Sequence, residues 1–265
     1  MNSCDEYLRS AGFAPNREVY SSQVNFWPQI IMTKKARTES STKLYNYWRS
    51  SSSWRVRIGL ALKDITDYDY EVINLIEDGG AQYSPSYTAL NPSQRVPTLK
   101  IDNHVLTQSI AILEYLDETR PDINPFFPKE PIDRASVREI CAMIACDIQP
   151  VQNLGVLKRV MALVEDENEE KEKMKKTSVK MAWGKDTITR GFEAVEAKMI
   201  LTAKTYCVGD AISMADILLV PQVYNANRFK VDLDAFPTIK RVAKNLASHP
   251  AFESTHPSKM LDAVQ

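Results

Sequence analysis

The chain has 265 residues, enough for one large or two modest domains around a sizeable core. A hydrophobic share of 44% and a charged share of 25% are ordinary for a globular protein. A net charge of −1 excludes bulk electrostatic attraction to nucleic acid or to a membrane surface. No apolar run is long enough to span a bilayer, and neither a GxGxxG nor a P-loop is present. The four cysteines (Cys4, Cys141, Cys146, Cys207) and three histidines have no metal-ligand spacing, so no metal site is expected. Reduced thiols in a cytoplasmic-type compartment are the simpler reading.

Residues 1–42 show no clean periodicity, and their charges nearly cancel. They lack the apolar stretch of a secretory signal and the acid-poor composition of a mitochondrial presequence. They read as a disordered or loosely docked extension, with Phe26–Met32 (FWPQIIM) as its one apolar patch. The apolar, aromatic run Leu44, Tyr45, Tyr47, Trp48 then reads as a buried strand. Four serines follow, Ser50 to Ser53, and after them Trp54, Ile58, Ala61 and Leu62 recur at helical spacing. A serine that ends a strand and opens a helix puts its hydroxyl beside unpaired backbone N–H groups, a ready site for an anion. The same serines also read as a plain cap or as linker; their place between a strand and a helix speaks against the linker.

Tyr68–Leu75 alternates like a second strand, Glu77–Gly80 turns, and a short helical or irregular piece reaches Leu90 before Asn91–Pro92 breaks it. Arg95–Ile101 holds a third strand, with Pro97 at its opening because proline cannot donate to a ladder. Asp102–Asn103 is a hairpin turn, His104–Thr107 a fourth strand, and Gln108–Ser109 open a helix over Ile110–Glu118. The order β-α-β-α-β-β-α predicts a thioredoxin-like α/β domain over residues 43–120. Pro121–Pro131 holds four prolines and reads as a linker, and residues 132–265 read as an all-helical domain. Within it, Ile132–Val164 is amphipathic and broken near Pro150. Glu165–Lys176 is a solvated loop or helix surface, and Trp183–Thr202 is helical. Ser213–Asp216 has the S-x-x-D form of a capping box, helices continue to about Leu246, and the tail from His249 reads as loose.

RSSSSWRVRIGLAL (Arg49–Leu62), INLI (Ile73–Ile76), ALNPSQRVPTLKID (Ala89–Asp102) and QSIAILEYL (Gln108–Leu116) carry a resemblance. So do IQPVQNLGVLK (Ile148–Lys158), YCVGD (Tyr206–Asp210), SMADILLVPQV (Ser213–Val223) and RFKVDL (Arg228–Leu233). The chain resembles the cytosolic glutathione transferases, and among them the zeta class, whose activity is maleylacetoacetate isomerisation. The VPTL and QS motifs are shared by many classes; SSxSWRVRI and IQPxQNL are specific to zeta. Residues 1–42 and the charged Glu165–Lys176 region fall outside the likeness.

The resemblance implies glutathione as cofactor, a small-molecule substrate, a homodimer and a cytoplasmic location, with mitochondria as the alternative. Ser50 and Ser51 fall on the paired catalytic serines, Ser50 donating to the glutathione sulfur; Ser52 stands where the family has cysteine. Ser52 is counted with them as catalytic, and Ser50, Ser51, Ser52, Ser53, Trp54 and Arg55 together as glutathione-binding. Val96 would offer its backbone to the cysteinyl unit, beside a cis Pro97. Gln108 and Ser109 would hold the γ-glutamyl carboxylate, and Gln82 the glycyl end. Gln149 and Asn153, read as i and i+4 on one helical face, would line the site with Leu154 and Gly155. Arg228 would grip the acidic substrate, since a guanidinium holds a carboxylate bidentately.

Energetics set what Ser50 must do. A thiol starts near pKa ~8.5, and lowering it by about two units takes roughly 2.7 kcal/mol. A helix N-terminus supplies ~0.3–1 kcal/mol and a hydrogen bond to a charged group ~1.5–3 kcal/mol, so the two together suffice without a base. The expected reaction is glutathione-dependent cis–trans isomerisation of maleylacetoacetate to fumarylacetoacetate, in phenylalanine and tyrosine breakdown. The alternatives are a general glutathione S-transferase that conjugates electrophiles or turns over α-haloacids, and a catalytically weak glutathione-binding scaffold.

Overall fold

The computed structural model describes residues 42–263. The expectation of a loose N-terminal extension with a docking patch therefore falls almost wholly outside the described residues.

The first half is a four-stranded mixed sheet with helices packed on it. Strand β1 (Lys43–Asn46) pairs in parallel with β2 (Asp69–Val72) and antiparallel with β3 (Thr98–Ile101), which pairs antiparallel with β4 (His104–Thr107). The spatial order is β2-β1-β3-β4. Helix α1 (Ser51–Leu62) joins β1 to β2, a short α2 (Pro85–Leu90) precedes β3, and α3 (Ser109–Thr119) follows β4. This is the thioredoxin-like order expected. The β3–β4 hairpin turns through Asp102 and Asn103, both at positive φ (51° and 65°), which short polar side chains tolerate. Strand β1 is shorter than the aromatic run suggested: Tyr47 and Trp48 leave the sheet and begin the turn into α1.

The second half is helical: α4 (Pro131–Ala142), α5 (Leu154–Ala162), α6 (Glu169–Thr202), α7 (Met214–Arg228), α8 (Pro237–Ala247) and α9 (Pro250–Ser254). Helix α4 runs on into a π-helical segment, Met143–Ile148, where the Gln149 N–H reaches the Ile144 carbonyl at 2.9 Å in i→i−5 register. The break near Pro150 follows. Helix α6 is 34 residues long and starts at Glu169, well before Trp183, so the charged stretch is mostly helix surface. Its first turn holds Glu169, Glu170 and Glu172, the sign that the helix N-terminus favours. Helix α7 is apolar on nearly every side and is buried from Met214 to Val223, so it forms the centre of the helical layer. Its capping box is complete: the Ser213 backbone N–H and hydroxyl both donate to Asp216 at 2.8 Å.

Helix α1 packs against α3 on one side and α7 on the other. Gly59 permits the close approach to α3, because a Cβ there would lie 2.3 Å from Leu113 Cδ2. The proline-rich connection is fastened rather than free. The buried Lys63 ammonium donates to the Asp117 carboxylate (2.8 Å) and to the Ile123 (2.6 Å) and Asn124 (3.1 Å) carbonyls. Phe126 and Phe127 from that segment are buried. The loose tail from His249 is a correction. Trp54 Nε1 donates to Thr255 Oγ1 (3.0 Å), while the Trp48 N–H (3.0 Å) and Tyr70 hydroxyl (2.5 Å) donate to Asp262. These partners lie 192–214 residues away in sequence, beyond what local pattern can reveal.

Candidate functional site

Strand register brings the motifs to one end of the sheet. Tyr45 sits opposite Thr98, and Thr98 opposite Thr107. The chain leaving β1 toward Ser50, the chain entering β3 through Val96–Pro97, and the chain leaving β4 toward Gln108–Ser109 therefore meet at the same edge. Tyr47 and Val96 share one buried cluster there with Ile73 and Tyr87.

Ser50 is the N-cap of α1. Its Oγ accepts the Ser53 N–H at 3.2 Å, and its carbonyl accepts the Trp54 N–H at 2.9 Å. The Ser50 hydroxyl donates no hydrogen bond among the described residues. Ser51 and Ser52 fill the first turn, where N–H groups have no partner within the helix. The plain-cap reading of Ser50 is observed, and the anion-site reading applies to this same helix start. Ser53 points inward; its hydroxyl is buried without a partner among the described residues.

Ser109 opens α3 after Gln108, which is exposed and at φ 68°. Beneath it lies Arg55, 2% exposed, whose Nη1 donates to Ser109 Oγ at 3.4 Å. Arg55 makes no ion pair among the described residues, and its Nε and Nη2 have no partner there. Burial lowers its pKa to about 10, which still leaves a cation at neutral pH. A buried cation without an anion is costly, so this one is suited to charge arriving from outside. Cys141 lies nearby, but burial raises its thiol pKa, so it stays neutral beside the guanidinium.

The Val96–Pro97 peptide is cis. The loop before it is held by Asn91 Nδ2 and the Tyr87 hydroxyl, each donating to the Arg95 carbonyl at 2.7 Å. The Val96 N–H and C=O bond to no other group among the described residues, as an edge awaiting a pairing partner would. Gln82 lies buried in a turn after β2 with its Oε1 unpartnered.

Arg228 ends α7, donates to Asn225 Oδ1 (3.3 Å) and stacks near Phe229. Desolvation, and next the Arg49 cation, lower its pKa. Arg49, the residue before Ser50, is thus a second cation within electrostatic range of Arg228. Sequence reading missed it, although its adjacency to the serine run was a usable signal. Tyr87 and Asn91, which position Val96, left no such signal.

One expected arrangement fails. Gln149 and Asn153 do not share a helical face: Gln149 closes the π segment, while Asn153 is extended (φ −81°, ψ 161°) and caps α5. The intervening Pro150 has no N–H to carry the helix on. Leu154 and Gly155 are the first residues of α5, away from the turn that holds Gln149. Trp54 sends its indole toward Thr255 and the rings of Tyr224 and His256.

Comparison with known proteins places this geometry. Residues 40–118 match the glutathione S-transferase N-terminal domain and residues 159–250 its C-terminal domain. The chain belongs to the glutathione S-transferase family. It is 51% identical over 219 residues to the maleylacetoacetate isomerase of Rattus norvegicus, covering 83% of this chain and 94% of that one. Its fold is similar to a maleyl pyruvate isomerase described as a bacterial zeta-class glutathione S-transferase, with a TM-score of 0.76 and 35% identity, covering 84% of this chain and all of that one. It is also similar to the maleylacetoacetate isomerase of Anaeromyxobacter dehalogenans solved with glutathione in the active site, with a TM-score of 0.72 and 37% identity, covering 84% and 98%.

Proposed function

We propose that this protein is a glutathione-dependent maleylacetoacetate isomerase. The observation that carries the reading is Ser50: a hydroxyl at the start of α1 that accepts the Ser53 N–H and donates to no group among the described residues. Glutathione, when bound, supplies a thiolate that adds reversibly to the cis double bond, so that it can rotate and re-form trans.

The residues present fit that tripeptide. Ser50 and the free N–H groups of the first turn of α1 favour the thiolate. Val96 offers an unpaired backbone N–H and C=O to the peptide. Ser109, with Arg55 behind it, suits the γ-glutamyl carboxylate. Gln82 stands nearest to a role at the glycyl end. Arg228, held down first by desolvation and then by the Arg49 cation, suits together with Arg49 a dicarboxylate whose charge would answer both guanidinium groups. Gln149, Asn153, Leu154 and Gly155 are proposed as lining of the same cleft, now from a turn and a helix start.

Phenylalanine and tyrosine breakdown as context, a homodimer and a cytoplasmic location complete the reading. Conjugation of electrophiles is the competing one, and Ser52 in place of the family cysteine favours giving it a direct test. Purified protein is mixed with glutathione and maleylacetone while cis isomer and free thiol are followed together. Loss of the cis form at constant thiol supports isomerisation. Thiol falling in step with an electrophile, without isomerisation, would establish a conjugating transferase instead.

A further inference from the structure

The turn between β1 and α1 carries Ser50, and one peptide of that turn is gripped from both sides. The Trp48 N–H donates to Asp262 Oδ2 at 3.0 Å, across 214 positions of sequence. The Trp48 carbonyl accepts from Arg57 Nη2 at 3.0 Å. The turn itself is closed by the Ser50 N–H, which donates to the Tyr47 carbonyl at 3.0 Å. Both backbone polar groups of Trp48 are therefore held by charged side chains, two residues before the serine.

Each of those side chains is anchored in turn. Arg57, on α1, is fully buried. Its Nη1 donates to Asn46 Oδ1 at the end of β1 (2.9 Å), and its Nε to the Thr255 carbonyl (3.3 Å). Asp262 also accepts the Tyr70 hydroxyl from β2. Two strands, a helix and the tail thus converge on one peptide. Burying a cation is costly, and packing alone would be served better by an apolar side chain of similar volume. What the charged groups add is direction. A hydrogen bond weakens steeply with distance and angle, and in the proposed reaction the thiolate is placed independently, by the contacts at Val96 and Ser109. We infer that Arg57 and Asp262 are positioning residues for Ser50: by holding the Trp48 peptide on both sides, they fix the aim of its hydroxyl at the thiolate of bound glutathione. The inference rests on the reading of Ser50 given above.

Asp262 decides the matter, because charge and aim act on it with opposite sign. Removing a nearby carboxylate would, by its charge alone, favour the thiolate and lower the thiol pKa. Loss of aim raises it. The test follows thiolate absorbance of glutathione bound to the full chain against pH, in wild type, Asp262→Ala, Ser50→Ala and the double variant. Asp262→Ala raises the thiol pKa by about half a unit to one unit. Its kcat for maleylacetone falls about tenfold, while the KM for glutathione stays within about twofold, because the peptide and carboxylate contacts are untouched. In the Ser50→Ala background the same substitution adds nothing to the pKa, since no hydroxyl is left to aim. If Asp262→Ala does not fold, Asp262→Asn takes its place in both backgrounds; it keeps the shape but has one acceptor oxygen for two donors. A pKa that falls or stays put on loss of the carboxylate, or that rises equally with and without Ser50, overturns the positioning role and leaves the Ser50 reading standing. A pKa unmoved by Ser50→Ala itself overturns both.

Discussion

The anion site proposed here rests on two side chains, Ser50 and Arg55, and on no charged base. Ser50 accepts the Ser53 N–H through its oxygen, and in the proposed role its hydroxyl donates to the ligand. Ser50→Ala removes a hydrogen bond to the thiolate of ~1.5–3 kcal/mol, so the pKa of bound glutathione rises by about one to two units, read from thiolate absorbance against pH. The same change costs about 1 kcal/mol of stability through the lost cap. An unaltered thiol pKa would remove Ser50 from the mechanism. Arg55 acts at one remove, through Ser109. Arg55→Met raises the KM for glutathione about tenfold or more, with little change for an analogue lacking the γ-glutamyl carboxylate. Equal weakening of both ligands would mean that the guanidinium serves packing alone.

At the scale of elements, α1 is the organising piece because it carries Ser50 at its start and packs between α3 and α7. Its separation from α3 is set at Gly59, against Leu113. Gly59→Val forces the two helices apart and costs about 1–3 kcal/mol, seen as a lower midpoint of chemical denaturation. Because Ser109 rides on α3, glutathione affinity falls with it; a stability loss with affinity intact would show that the helix starts do not depend on this contact. The local signals for these elements were strong. The Ser50–Ser53 run, the Asp102–Asn103 turn and the Ser213–Asp216 box all did what their chemistry predicts, because caps and turns are satisfied within three or four residues. Helix α6 begins at Glu169, well before the apolar periodicity at Trp183 predicts, since its first turns are charged and exposed and such periodicity reports only buried faces.

Across the whole molecule, the C-terminal tail closes the structure over the start of α1. Asp262 accepts from Trp48 and Tyr70, and Asp262→Ala costs about 1–3 kcal/mol by orphaning both donors, measured as a lowered thermal midpoint. The tail also carries a pH dependence. His256 has its pKa lowered, first by desolvation and then by the Lys259 and Arg57 cations. The folded state therefore takes up a proton less readily than the unfolded chain does. Stability is lost as pH falls through 6.5 toward the folded value. The thermal midpoint should drop more steeply from pH ~7.5 to ~5.5 in the wild type than in His256→Asn. Parallel curves would remove His256 as the cause.

The element order of the sheet domain and the helix starts at Ser50, Ser109 and Ser213 are legible in residue order alone, since each rests on contacts within a few residues. The remainder depends on packing. Packing put Arg55, which has no ion pair among the described residues, behind Ser109, set Arg49 within electrostatic range of Arg228, and parted Gln149 and Asn153 by a turn. It also fastened a tail that residue order reads as loose, through Trp48, Trp54 and Tyr70. The physical reason is common to all four: burial, charge spacing and pairing between residues tens to hundreds of positions apart depend on how the elements pack, and no local periodicity records that.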